Sequence, residues 1–330
     1  MKAISLSEYG STDVLKLIEV DVPTPNRGEV LIKNTAVSVN FVDVQHRQGG
    51  FYNDLPLPLI PGIEGAGIIE AVGDDVTDFS SGDRVAYGYM GGNYAEYTVV
   101  PAERVVNVPD HLDLELAAAT LLQGITAYSL TRKVYPIQTS DWVLIHAAAG
   151  GVGSLLAQYA LHLGATVIGT VSTQAKADFV KQFGVQHVVR YTQEDFEHVA
   201  NQLTDNQGVH VVYDAVGKNT FEQSLMSLRK MGYLVIYGQS SGAPPLFDVN
   251  RLSGITPNSG RGSLFVTWAS SGDYTAERAD LIEHTSDVFQ KLAAGTLTHH
   301  IADRIPLTEA VRAHKLLESR SIIGKLLLIP

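Results

Sequence analysis

Two short stretches hold residue types whose spacing suits work on a dinucleotide. His146-Ala147-Ala148-Ala149-Gly150-Gly151-Val152-Gly153 joins an apolar β-branched run to a segment that sets Leu155, Leu156, Tyr159, Ala160 and Leu163 on one helical face, with Gly164 as a stop. Small residues let the backbone approach a pyrophosphate, and the start of a helix offers unpaired N–H groups and a positive dipole end. The glycines do not follow G-x-G-x-x-G, so the expectation rests on their place in a strand–turn–helix–strand unit; with no ligand they make only a tight connection. The next run ends in Gly169-Thr170-Val171-Ser172-Thr173-Gln174-Ala175-Lys176, with no carboxylate to accept ribose hydroxyls as NAD sites usually have. A hydroxyl and an ammonium suit a 2′-phosphate, which favours NADPH over NADH. Taken alone, Lys176 also reads as a solvated lysine in the first turn of a helix.

These residues need a parallel sheet to hold them. From about Asp141, apolar runs at Val143–His146, Thr166–Val171, His187–Tyr191, Val209–Tyr213, Tyr233–Tyr237 and Ser263–Thr267 alternate with helical-period segments, which predicts a doubly wound α/β sheet with right-handed crossovers. The chain before it is β-rich, with runs at Glu29–Val39, Ala66–Val72, Arg84–Tyr87 and Tyr94–Val100 between Gly, Pro, Asn and Asp clusters, the spacing of a barrel-like domain. A loop is expected from Gln48 to Gly67 around Pro56, Pro58 and Pro61. Helices near Arg278–Ala294 and Leu307–Glu318 precede a terminal strand Lys325–Ile329 that has no partner sheet nearby in sequence. The first domain is therefore expected to be discontinuous, 1–125 with 268–330, around a dinucleotide-binding domain at 126–267.

Composition limits the partners. At 330 residues, 45% apolar and 18% charged, the chain reads as globular, with length for two domains. Lys and Arg number 24 against 35 Asp and Glu, a formal charge of −11, which argues against nucleic acid or an anionic membrane as main partner. The absence of cysteine excludes disulfides, thiol catalysis and thiolate metal sites. The start shows no apolar secretory segment, and a cytoplasmic location is expected. The apolar stretch Trp142–Val171 is interrupted by His146, Gln158 and His162 and reads as strand, loop, helix and strand.

Over essentially its whole length the chain resembles quinone oxidoreductases of the zeta-crystallin type, in the medium-chain dehydrogenase/reductase superfamily. The resemblance is carried by Asn40-Phe41-Val42-Asp43, Pro61-Gly62-Ile63-Glu64-Gly65-Ala66-Gly67, Gly82-Asp83-Arg84-Val85, Gly124-Ile125-Thr126-Ala127, the glycine turn, Tyr213-Asp214-Ala215-Val216-Gly217 and Gly238-Gln239-Ser240-Ser241-Gly242. It implies a GroES-like catalytic domain built from both chain ends, a Rossmann domain, a cleft carrying NADPH, and a homodimer. By the same resemblance Gly150, Gly151, Val152 and Gly153 cradle the pyrophosphate, Ser172, Lys176 and Arg320 reach the 2′-phosphate, and Tyr191 lies near the adenosine. Val216, Gly238, Ser240, Phe265 and Val266 line the nicotinamide and its ribose, with Asn40 and Thr126 approaching from the other domain.

Hydride transfer to an already electrophilic quinone needs orientation, a dry site and donors, without a metal. Asn40 is a candidate to hold the nicotinamide or donate to the substrate oxygen, Tyr52 to donate a proton or cover the site, and Gln123 to add a polar contact. As structural residues they would be a turn-capping amide, a loop aromatic and a helix-side amide. Related zinc alcohol dehydrogenases carry a ligand histidine where this chain has Ile63, so no metal is expected, and His299-His300 are read as surface histidines. Relatives often show a tyrosine two residues after the Asp of the Asn-Phe-x-Asp motif; here it is Gln45. Asp43 is expected to pair with Arg47, four residues on. Reduction of α,β-unsaturated aldehydes or ketones uses the same hydride donor and is the competing activity; an NADPH-binding protein with little catalysis is the competing class.

Overall fold

In the computed structural model, which describes residues 1–50, 55–255 and 261–330, the chain divides into Met1–Ile125 with Thr275–Pro330, and Thr126–Tyr274. The first unit opens with the antiparallel strands β1 (Lys2–Ser5) and β2 (Lys16–Glu19), followed by β3 (Glu29–Val39), helix α1 (Phe41–Gln48), β4 (Glu64–Val72), β5 (Arg84–Gly88), β6 (Tyr97–Pro101), β7 (Val105–Asn107) and α2 (Leu114–Ser129), whose last four residues belong to the second unit. Strands β8 (Trp142–Ile145), β9 (Thr166–Val171), β10 (His187–Arg190), β11 (Val209–Asp214), β12 (Leu228–Ile236) and β13 (Phe265–Trp268) form the second unit's sheet, with α3 (Gly151–His162), α4 (Gln174–Lys181), α5 (Phe196–Leu203) and α6 (Phe221–Met226) between them. The chain ends with α7 (Arg278–Ala293), β14 (Ile301–Pro306), α8 (Ala310–Glu318) and β15 (Lys325–Ile329).

The length of β3 explains why the chain end returns. Of its eleven residues, those in Val30–Val37 pair with β4 on one edge, while β6 takes Glu29–Lys33 and β15 takes Val37–Val39 on the other. Without β15 that edge would leave backbone groups unpaired over a buried strand, which is costly. Leu326 and Leu328 of β15 then join Val37, Val39, Ile305 and Ala313 in one core cluster. The sheet order is β14-β15-β3-β4-β5-β7 with β6 on β3.

The second sheet runs β10-β9-β8-β11-β12-β13, all parallel, the doubly wound α/β arrangement. Its central strands β9, β8 and β11 are buried on both faces, hence their near-continuous β-branched content; Leu144, Ile168, Val212 and Leu234 pack with Phe221 and Leu225 of α6. The second unit ends at Tyr274 rather than 267, because β13 continues to Trp268 and Ala269 N–H still donates to Ile236 O at 2.8 Å.

Three local expectations shift. Glu64–Gly67, taken for loop, starts β4 by pairing with Gly88–Val85. Strand β6 begins at Tyr97, because Tyr94 turns inward and is fully buried. Gly62 makes room for it: at φ +96°, a Cβ there would lie 2.4 Å from the Tyr94 ring. Arg47 does not serve Asp43; its guanidinium makes two hydrogen bonds to Glu318, at 2.7 and 3.0 Å, and Nη1 lies 3.2 Å from His314 Nδ1.

His314, on α8, is fully buried between Arg47 and the Tyr94 hydroxyl, and burial beside that cation holds its pKa down at about 3. The unfolded chain takes up the proton near the ordinary value of ~6.5, so stability is lost as pH falls from ~6.5 towards 3. Replacing His314→Gln should flatten the pH dependence of unfolding free energy over that range by about one proton, read from urea titrations at several pH values.

Candidate functional site

In the first unit the polar centre is built around Glu64, which enters β4 fully buried. Its Oε1 accepts from Leu122 N–H of α2 at 2.6 Å, and its Oε2 accepts from Asn40 Nδ2 at 3.1 Å and Gln123 Nε2 at 3.2 Å. Lys325 Nζ, at the start of β15, stands 3.5 Å from the same oxygen. Asn40 ends β3's run and caps α1, and its Oδ1 accepts from Gln123 Nε2 at 2.7 Å and Lys325 Nζ at 2.5 Å. The structure thus brings the predicted Asn40 and Gln123 together; Tyr52 lies outside the described residues. Lys325 and Glu64 are members that sequence reasoning missed. Lys325 stood only as the first residue of an apolar strand, where a lysine that ends up buried was the available signal. Burial pulls its pKa down, with Glu64 and Asp43 opposing.

A second layer supports this centre. Asp43 Oδ2 accepts from Asn40 N–H at 2.8 Å and from Tyr94 Oη at 3.1 Å, and burial raises its pKa to about 7. His299 is not a solvated surface group: its Nδ1 lies 3.1 Å from Thr120 Oγ1 and burial keeps its pKa at about 3.

In the second unit the glycine turn opens α3. Gly150 is its N-cap, and a Cβ on Gly153 would sit 2.3 Å from Ala147 O, so side-chain-free backbone is required where the turn folds over itself. Ser172 and Lys176 flank the N-cap Thr173 of α4, whose hydroxyl accepts from Lys176 N–H at 3.3 Å, and Tyr191 N–H donates to Val171 O at 3.1 Å. Val216 N–H donates to Asp214 Oδ1 at 2.7 Å, and Ser240 N–H to Ala215 O at 3.0 Å, beside Gly238. All these residues follow the carboxyl ends of their strands, the end at which open α/β sheets hold ligands.

Behind the turn a buried network ties three strand ends together. His146 Nδ1 lies 3.0 Å from Thr170 Oγ1 after β9's midpoint, its Nε2 lies 2.9 Å from Ser224 Oγ on α6, and Ser224 donates to Asp214 Oδ2 at 3.1 Å. Burial lowers the pKa of His146, favouring a neutral ring that can donate at one nitrogen and accept at the other.

Phe265 and Val266 stand on β13, the edge strand of this sheet. They pair with Tyr233 and Leu234, three and two residues before Trp268 reaches the level of Ile236, roughly 10 and 7 Å back along the sheet at about 3.3 Å per residue. Past the end of β13, Ser271 Oγ lies 3.0 Å from Thr126 Oγ1. Thr126 is the first residue of this unit and not part of the other one; Arg320 lies in the first unit, past the end of α8, with φ +55°.

A family profile described as alcohol dehydrogenase GroES-like domain matches residues 26–110, and one described as zinc-binding dehydrogenase matches 151–283. Together with the two sheets they define a medium-chain dehydrogenase/reductase. Within that superfamily the chain belongs to the quinone oxidoreductase family. It is 37% identical over 330 residues to quinone oxidoreductase 1 of Escherichia coli, covering 99% of each, and 39% identical over 335 residues to a 2-haloacrylate reductase of Burkholderia sp, covering 99% of this chain and 98% of that protein. The crystal structure of E. coli quinone oxidoreductase complexed with NADPH matches with a TM-score of 0.95 at 37% identity over 100% of both chains.

Zinc, which one profile's description implies, does not fit the residues at this centre. Cysteine is absent, Ile63 precedes Glu64, and the Glu64 carboxylate is already committed to three N–H donors with an ammonium beside it, which would repel a dication. Among the described residues, Asp280, Glu283 and His284 of α7 bring three donor atoms within 4.8 Å, an i, i+3, i+4 grouping common on helices.

Replacing Gly153→Ala should lower the unfolding free energy by about 1–3 kcal/mol, as over-packing does, measured by urea unfolding. Gly28→Ala, where nothing lies within 4 Å of the added Cβ but φ is +77°, should show only the backbone strain and no packing clash.

Proposed function

We propose that this protein is a cytoplasmic, homodimeric, NADPH-dependent quinone reductase that needs no metal. The observation that carries the reading is the end of β9: Ser172 and Lys176 flank the start of α4 with no carboxylate among residues 169–176, a pairing suited to a phosphate and unsuited to bare ribose hydroxyls. Its relation to an E. coli enzyme crystallised with NADPH supports the same cofactor. The turn at Gly150, Gly151, Val152 and Gly153 would hold the pyrophosphate, with Tyr191 at the adenosine and Val216, Gly238 and Ser240 towards the nicotinamide. Arg320 is retained as a further phosphate contact on family resemblance.

The bound cofactor supplies a hydride to the quinone, and a solvent proton completes the hydroquinone. The chain's own part is to fix geometry and to stabilise the oxygen that gains charge. Asn40, fastened by Gln123, Glu64 and Lys325, is the group proposed to face that chemistry. A second reading, hydride delivery to the carbon of an activated alkene, is favoured by the likeness to a 2-haloacrylate reductase.

The test is steady-state oxidation of NADPH, with NADH alongside, by an ortho-quinone and a short enone after chelator treatment. The expected result is strong NADPH-dependent quinone turnover, and Lys176→Ala should weaken NADPH by roughly tenfold or more, the loss of a charge-assisted contact, while leaving NADH little changed. Enone turnover alone would establish the second reading. No turnover with NADPH still bound would mark a cofactor-binding protein, and activity lost with stoichiometric zinc would overturn the metal-free mechanism.

The dimer is proposed from β13. It is the edge of its sheet, and Phe265 and Trp268 are 47% and 46% exposed on it, an apolar edge suited to pairing with a second copy. Sedimentation at micromolar concentration should give twice 35.6 kDa, and a Lys introduced at Phe265 should shift it to the monomer.

A further inference from the structure

We infer that Lys325 is a positioning residue that makes Asn40 a one-sided hydrogen-bond donor in the reaction. The inference rests on the reading of Asn40 as part of the reacting site. An asparagine amide ordinarily offers two N–H donors and an oxygen with two lone pairs, and it can present either end to a ligand. Here both lone pairs of Oδ1 are taken, by Lys325 Nζ at 2.5 Å and Gln123 Nε2 at 2.7 Å, and one Nδ2 proton goes to Glu64 Oε2 at 3.1 Å. Among the described residues, a single N–H is left to give, and there is nothing left with which to accept.

The polarity is enforced by the two neighbours that cannot turn over. An ammonium only donates and a carboxylate only accepts, so the reversed amide would set NH2 against Lys325 and oxygen against Glu64. Gln123 could not do this alone, since its own amide can flip; its Nε2 is directed by the same carboxylate, at 3.2 Å. Lys325 arrives from the last strand of the chain, 285 residues from Asn40, and is buried. The partner of the remaining N–H must therefore be an acceptor oxygen. Two oxygens have that chemistry, the carbonyl oxygen of the substrate as it gains charge and the carboxamide oxygen of the nicotinamide.

The test uses Lys325→Met in the full-length protein, with kcat/KM for an ortho-quinone at saturating NADPH and the NADPH Kd from fluorescence quenching. One of the two should worsen by roughly 10- to 100-fold, the size of one charge-assisted hydrogen bond. A fall in kcat/KM with Kd unchanged assigns the substrate oxygen, and a rise in Kd assigns the carboxamide; either supports the role of Lys325. In an Asn40→Ala background the same substitution should then add less than about a two-fold effect, because the lysine acts through the amide. Both parameters within about two-fold of the parent, or an undiminished loss in the Asn40→Ala background, overturns the inference. Should Lys325→Met fail to fold because Glu64 is left buried and unpaired, the double variant Lys325→Met/Glu64→Gln removes both charges and takes the same readouts. A parent protein that binds no NADPH and reduces neither quinone nor enone overturns the functional reading instead. Lys325 is then judged by the Asn40 side-chain amide in 15N-edited spectra: its shift must move in Lys325→Met, and an unmoved signal overturns the inference by itself.

Discussion

The Glu64 carboxylate is the interaction on which the first unit's polar centre depends. It is fully buried, so it needs donors and a counter-charge, and it draws them from four residues at three separate places in the fold: Asn40 before α1, Leu122 and Gln123 on α2, and Lys325 on β15. Removing either charge alone from such a pair strands the other, a cost of about 3–5 kcal/mol, so the set stands or falls together. The Leu122 contact also has a mechanical side. Ala118 O, the usual partner of the Leu122 N–H, accepts from Ser38 Oγ at 2.6 Å, so side chains of β3 and β4 grip α2 at one turn and aim Gln123 at Asn40.

The second unit solves a similar problem with uncharged donors around the Asp214 carboxylate. His146 closes β8, and its two ring nitrogens reach Thr170 of β9 and Ser224 of α6, which passes the contact to Asp214 at the end of β11. Asp214 in turn accepts the N–H groups of Val216 and Gly217, at 2.7 and 3.0 Å, shaping the loop that follows. Ser, His and Asp thus meet without forming a nucleophilic triad: all three are buried, and the serine donates to the aspartate instead of passing a proton to the histidine. The network holds the glycine turn and the Val216 loop in one register.

Much of this was legible along the chain, and the exceptions have a common cause. The six parallel strands, the α3 face and the glycine turn follow from local pattern, and Asn40 and Gln123 follow from motif resemblance. Glu64 was visible within a motif but not as a hub, because its four partners lie as much as 285 residues apart in the chain. Phe265 and Val266 were placed by motif position, and only the β12–β13 register shows that they pair with Tyr233 and Leu234. Asp43 and Arg47 have the spacing of a helical ion pair, yet Arg47 is captured by Glu318, 271 residues on, through two hydrogen bonds that one intrahelical contact does not match.

The sequence by itself determined the class of each sheet, the small residues of the turn, the missing carboxylate after β9 and the absence of thiolate ligands, since each depends on residue identity or on period within one element. Tertiary structure alone decided which buried charges meet. Lys325 reads as one cation at the start of an apolar strand, and His299 as half of an exposed pair. Lys325 becomes a partner of Asn40 only when β15 closes the free edge of β3 and takes it out of water, and His299 becomes a half-buried ring beside Thr120 with its pKa held well below the ordinary value, because desolvation and pairing depend on what surrounds a side chain and not on its neighbours in the chain.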